Sequence, residues 1–291
     1  MKGILLGLSA GVAALGMATS ANAALLYDLT FDNQTLDNSG TAGGAATVST
    51  TAAPDPVYTS STPNGSTYAL DLVARSTNPK AEYLTLPAST GNFSLSSTDG
   101  SDRMTMAAWI YWNGNIQTNT IISKGGGASG GTGWSLYIDG TTNKLTFAYA
   151  NGGVFASAGT RTSTSSVPIG QWVHVAFEWA GNASLSVTGQ TSGQNLKFFI
   201  NGADAGLNSA LSSSTAYLGA NTSAIIVGDR FANNNNPLNG SVDDVRLYDT
   251  VLSDGQVAAL VPEPTTMSVI GLAGLLMLGA RQRKPMVRTL S

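Results

Sequence analysis

The chain has 291 residues, with 17 acidic and 14 basic side chains, a net charge of −3, one histidine and no cysteine. An acidic balance disfavours nucleic acid and anionic membrane surfaces as partners. The lack of cysteine excludes disulfides, thiolate metal sites and thiol nucleophiles.

Residues 1–23 carry the first recognisable element. Lys2 provides a positive start, residues 4–17 an apolar stretch, and Ala21-Asn22-Ala23 a small-residue cleavage box. This is the layout of a secretory signal peptide, a helical segment cut after Ala23, and it predicts export through the inner membrane.

Residues 24–260 are rich in Gly, Ser, Thr, Ala and Asn, yet short β-branched and aromatic runs recur at strand spacing: "MTMAAWIYW" (104–112), "GWSLYID" (133–139), "KLTFAYA" (144–150), "WVHVAFEWA" (172–180), "LKFFING" (196–202), "AIIVGD" (224–229) and "VDDVRLYD" (242–249). Asp139-Gly140, Asn151-Gly152 and Asn201-Gly202 fall between such runs and suit the positive φ angles of tight hairpins. Within the body, only a short turn at 253–260 shows a helical pattern. The reading is an all-β, antiparallel, two-sheet sandwich of one domain, with Trp109, Trp134, Trp172 and Phe199 buried.

Candidate chemistry is sparse. His174 and Glu178 share a face of one strand, about 13 Å apart and beyond hydrogen-bond reach. The three glutamates, Glu82, Glu178 and Glu263, are scattered, and a straight strand sends the neighbours Asp243 and Asp244 to opposite faces. No paired carboxylates of a glycosidase are therefore evident, and the chain reads as a non-enzyme. The loop "KGGGASGGTG" (124–133) lacks the Gly-Lys-Ser/Thr ending of a phosphate cradle. In "FANNNNPLNG" (231–240), Phe231 with Asn233, Asn234 and Asn235 offers an aromatic face and planar amides to a sugar, although such an Asn run also suits a solvated turn.

The chain then continues with "VPEPTTMSVIGLAGLLMLGARQRK" (261–284). Its apolar part, residues 267–280, spans about 21 Å as a helix, short of the roughly 30 Å of a bilayer core. Arg281, Arg283 and Lys284 follow and favour the cytoplasmic side. The motif Pro262-Glu263-Pro264, the short transmembrane helix and the basic tail resemble the PEP-CTERM sorting signal of Gram-negative bacteria. That resemblance implies transient residence in the inner membrane, processing by an exosortase-type enzyme, and a final place at the cell envelope or outside the cell. The domains expected are thus a signal peptide (1–23), a body (24–260) and a sorting segment (261–291).

The order of the body's motifs resembles the LamG-like jellyroll group of the concanavalin A-like lectin/glucanase superfamily. "LTFDNQTLDNSG" (29–40) is similar to its opening, "YALDLVARSTNPKAEYLTLP" (68–87) to its next hairpin, and "GQWVHVAFEWAG" to its core strand. "LNGSVDDVRLYDTVLSDGQVAAL" is similar to its closing signature. The resemblance implies one structural Ca²⁺ at Asp32 and Asp37 with Asp243 or Asp244; the same acids also suit turn capping, Asp37-Asn38-Ser39-Gly40 being a natural Asx-turn. It implies a packing role for His174, hydrogen-bonded at a sheet junction. The combined expectation is a non-catalytic envelope or matrix protein contacting exopolysaccharide. A glycoside hydrolase with an unrecognised carboxylate pair and a purely structural matrix protein are the alternatives.

Overall fold

A computed structural model describes residues 23–48, 56–63, 65–73, 83–87, 93, 102–125, 133–150, 160–180, 196–208, 222–230 and 236–261. In chain order the strands are β1 (Leu25–Leu29), β2 (Thr47–Val48), β3 (Tyr58–Thr59), β4 (Ala69–Asp71), β5 (Leu84–Thr85), β6 (Met104–Trp112), β7 (Thr118–Gly125) and β8 (Gly133–Asp139). There follow β9 (Lys144–Ala150), β10 (Thr160–Ser166), β11 (Trp172–Trp179), β12 (Leu196–Ile200), β13 (Ala203–Asp204), β14 (Ile225–Val227) and β15 (Gly240–Tyr248), then one short helix, α1 (Asp254–Ala259).

These strands form two sheets. The first has eight strands in the order β13-β12-β11-β6-β15-β4-β3, with β1 also paired to β15; the second has seven, in the order β10-β9-β8-β7-β14-β5-β2. Every pairing is antiparallel. The period of two along each strand supplies the core between the sheets. From the first sheet come Met106, Ala108 and Ile110 of β6 with Val173, Val175 and Phe177 of β11, and from the second Trp134, Leu136, Leu145 and Phe147. Phe147 stacks on Phe177 at 4.5 Å between centroids, and Phe177 reaches Phe198 at 5.7 Å. The buried Trp134 indole donates to the Phe93 carbonyl at 2.8 Å, so the ring enters the core without an orphaned N–H.

All seven runs read as strands are strands, and Ser253 caps α1 in a reciprocal capping box with Gln256. Asn201-Gly202 has φ of 51° and 76°, the two left-handed residues of a type I′ hairpin. Asp139-Gly140 behaves differently. The loop is longer, with Asn143 at φ 59°, and glycine is needed at 140 because a Cβ there would strike the Asn115 and Gln117 carbonyls. Trp109, Trp134 and Phe199 are buried, whereas Trp172 is only half-buried. It lies on the outer face of the first sheet, packed edge-on against Tyr111 at 5.7 Å, because position 172 alternates away from the core residue Val173. Strand β10, "TRTSTSS", has no apolar alternation and escapes sequence reading. Asn151-Gly152, the residues before 23 expected to form a signal peptide and those from 262 onward expected to form a sorting segment lie outside the described residues. No helix among the described residues is long and apolar enough to cross a membrane.

Truncating Phe177 to alanine removes the ring that joins both sheets and should cost about 3–5 kcal/mol in urea unfolding. The same change at Ile116, which is 83% exposed, should stay within about 0.5 kcal/mol.

Candidate functional site

Strand β15 lends one of its edges to two partners in turn. Ser241 and Val242 pair with β4, and Val245 to Tyr248 pair with β1. Between these stretches its register against β6 breaks, from Asp243↔Trp109 to Arg246↔Ala107, and Asp244 takes φ 49°. Val242, Val245 and Leu247 all enter the core, so this bulge leaves both Asp243 and Asp244 on the outer face. The expectation that the doublet splits between faces is thereby corrected: it assumed an unbroken period of two. Aspartate tolerates the left-handed region that the bulge demands.

The seam gathers further polar groups. Asp32, just after β1, accepts a hydrogen bond from the Thr67 N–H, just before β4. Asp243 is fully buried; Oδ1 accepts the Asp244 N–H at 2.8 Å, while Oδ2 has no hydrogen-bond partner. Burial pushes the Asp243 carboxyl up to about 7, with Asp244 and Asp32 adding to the rise and the Ser66 hydroxyl and Asp244 N–H opposing it. Asp244 is raised for the same first reason, against the pull of Arg246. Arg246 bridges Asp28 at 3.0 Å through Nε and Asp244 at 3.1 Å through Nη2. Sequence reading missed Asp28 and Ser66, whose roles depend on which strands share the edge of β15.

The structure thus brings Asp32, Asp243 and Asp244 to one seam. Asp37 lies elsewhere: it forms an isolated bridge with Ala45, and its charge acts on the Tyr58 phenol. The Asx-turn expected at 37 is headed instead by Asn38, whose Oδ1 accepts from Gly40 N–H at 2.9 Å and from Asp28 N–H at 2.8 Å. Phe231, Asn233, Asn234 and Asn235 lie outside the described residues. On either side of them, Asp229 Oδ1 accepts from the N–H groups of Arg230 at 2.7 Å and Asn236 at 3.3 Å. Among the described residues, no three His, Cys, Asp or Glu side chains form a metal cage by themselves. The fit at the seam rests on the bare Asp243 oxygen and the acidic neighbours, to which carbonyl or water oxygens would have to be added for Ca²⁺.

His174 and Glu178 stand on the same outer face, without contact. His174 is packed edge-on against Trp109 at 5.4 Å, and its buried Nδ1 has no partner, so it is a packing residue without the expected hydrogen bond at that atom. Burial first, then Arg246, lowers its pKa to about 4. Glu178 is buried with neither carboxyl oxygen bonded, and burial raises it to about 8 against the opposing charge of Lys197. Lys197 itself is held by Asp254 at 2.8 Å and Asp204 at 3.4 Å. Glu178 and Asp243 pair with opposite sides of β6 at Thr105 and Trp109. That places them about 13 Å apart along the strands and about 10 Å across, beyond the roughly 5–10 Å of a glycosidase pair.

The family model described as Concanavalin A-like lectin/glucanases superfamily, of the laminin G type, matches residues 78–258, more than half of the chain. The chain belongs to that superfamily. Among curated proteins, none matches. Similar solved structures include domain 4 of AbnA, a GH43 extracellular arabinanase from Geobacillus stearothermophilus, in complex with arabinotriose. The likeness there is 18% identity and a TM-score of 0.58 over 82% of this chain and 99% of that one. The binding domain of botulinum neurotoxin DC in complex with SialylT follows at 15% and 0.55, over 82% and 51%. The binding domain of Paraclostridial Mosquitocidal Protein 1 stands at 14% and 0.55, over 82% and 52%. This chain therefore spans about half the length of the two toxin chains, and at these identities the likeness is one of fold.

Glu178 gives a pH test. Its carboxyl titrates near 4.5 unfolded and near 8 folded, so the folded state holds the extra proton and stability falls as pH rises through that window. Glu178→Gln should remove this loss, gaining about 2–4 kcal/mol on the native protein between pH 5 and pH 9 in denaturant titrations. Parallel curves for the two proteins would refute it. His174 acts oppositely, costing stability as pH falls from 6.5 toward 4.

Proposed function

We propose that the protein is an exported, non-catalytic polysaccharide-binding sandwich of the cell envelope or extracellular matrix. The observation that carries the binding reading is the fold shared, across 82% of this chain, with a domain solved in complex with arabinotriose. The wide separation of Glu178 and Asp243 supports a non-catalytic role. Phe231 and the amides of Asn233, Asn234 and Asn235 are the sugar-binding candidates. Binding on a glycan array without released product is the expected result. Released oligosaccharide would favour the hydrolase reading, and no binding at all a structural matrix role.

One Ca²⁺ at the β15 seam belongs to the same reading. Asp32 and Asp243 would hold it, with Asp244 beside them, and its charge would neutralise acids that otherwise repel. Calcium should raise the melting temperature by mass action, by about 2.7 kcal/mol of added stability at a hundredfold excess over Kd. Asp243→Asn should abolish the rise, and an identical melting curve in EDTA would count against the ion.

Export and sorting complete the proposal. The supports are the Ala21-Asn22-Ala23 box, the Pro262-Glu263-Pro264 motif and the Arg281, Arg283 and Lys284 cluster. Replacing Pro262-Glu263-Pro264 by alanines leaves the apolar helix intact and should make the precursor accumulate in the inner membrane of a strain carrying its own exosortase. Mass spectrometry of the released protein decides this; an intact C-terminus through Ser291 outside the cell would reject processing.

A further inference from the structure

The ladder between β1 and β15 continues past its last strand pair, Leu25↔Tyr248. The Asp249 N–H donates to the Ala24 carbonyl at 3.2 Å, and the Ala24 N–H donates to Asp249 Oδ1 at 3.1 Å. The carboxylate of Asp249 stands where a ladder carbonyl would, aimed at the backbone nitrogen of residue 24. Both flanking residues are fixed. Ala23 and Leu25 pack against the outer-face cluster that contains Phe199, Tyr248 and Val257, and the Leu25 carbonyl accepts from Thr41 N–H at 2.9 Å and Thr41 Oγ1 at 3.1 Å.

Under the export reading, on which this inference rests, Ala24 becomes the first residue of the mature chain. We propose that Asp249 is the docking site for the α-ammonium group created when the signal peptide is cut between Ala23 and Ala24. In that hydrolysis the C–N bond breaks, water gives its hydroxyl to the Ala23 carbonyl carbon and a hydrogen to the Ala24 nitrogen, and a proton from solvent completes the ammonium at neutral pH. A neutral amide donor facing Asp249 is thereby replaced, at the same nitrogen, by a cation with three donors. The contact becomes a charge-assisted hydrogen bond, roughly twice as strong as the neutral one. The nearest other charges on these two strands, Asp28 and Arg246, are already paired with each other at 3.0 Å. Signal removal, which takes Ala23 away from the cluster, therefore strengthens the one polar contact that joins the new first residue of β1 to the end of β15. Leu260 packs on the same cluster, and Ala258 and Val261 lie against Gly202, so the lock forms where the chain leaves toward its C-terminal segment.

The test uses the full-length precursor in an exporting host. Intact mass of the exported protein gives its first residue, and reductive methylation with ¹³C-formaldehyde gives an α-amine signal that is titrated by NMR. The expected result is a start at Ala24 and an α-amine titrating about one unit higher in the native protein than in Asp249→Asn or in urea. Asp249→Glu should restore part of the shift. A start at Ala24 with no difference between native and urea-unfolded protein overturns the docking and leaves the export reading intact, whether or not the variants fold. A start at any other residue overturns the cleavage assignment and the docking with it.

Discussion

The last strand among the described residues, β15, runs through the middle of the eight-stranded sheet, and the rest of the structure depends on its insertion there. It pairs along its whole length with β6 and offers its other edge first to β4 and then to β1. Two short strands cannot share one edge without a seam. The bulge at Asp243 and Asp244 falls at that seam, bending β15 from one partner to the next. Without it, the strict alternation of a straight strand would carry an aspartate into the core or turn Val245 out of it. One extra residue thus solves a topological problem and sets two carboxylates side by side on the outer face.

The buried charges on that face differ in the company they keep. Around Asp243 the charges that act on it are the carboxylates of Asp244 and Asp32, a local surplus of negative charge around an oxygen with no donor. Around Glu178 the first charge is a cation, Lys197, which opposes the rise that Asp254 and Asp204 add. A bare buried oxygen costs about 1–3 kcal/mol in either place. Only at Asp243 are the acting charges all negative. Protonation relieves Glu178 without any ligand, which is why the two carboxyls, both raised in pKa, have different meanings.

The sandwich was legible because its central strands alternate strongly. β6, β8, β9 and β11 can be read from their aromatic and β-branched residues, and the short helical pattern at 253–260 marks α1. Strand β10 was not, since hydroxylated side chains at its exposed positions carry no signal of a sheet. The seam was half legible. Asp32 and Asp243 stand out in the opening and closing motifs, but the bulge that turns Asp244 to the same side depends on β1 and β4 meeting the same edge, which is a tertiary fact. Asp37 entered with Asp32 through the resemblance of the opening motif, but in the structure it bridges Ala45 and its charge acts on Tyr58. Asn38, not Asp37, makes the tight turn, because an amide both accepts from Gly40 and Asp28 and donates to the carbonyls of Leu26 and Gly43.

Placing β15 beside β1 brings the two ends of the described sandwich together. Ala23 and Leu260 pack on one apolar cluster, so both exits from the sandwich open on the same patch of the outer face. The chain contains no cysteine, so nothing covalent closes this patch. Its closure relies on the β1–β15 ladder, on the Arg246–Asp28 ion pair at 3.0 Å, on Thr105, which donates to the Thr250 carbonyl at 2.8 Å, and on Lys197, which ties α1 to the sheet through Asp254. Each of these contacts joins residues far apart in sequence. The patch therefore forms only once the whole sandwich has closed.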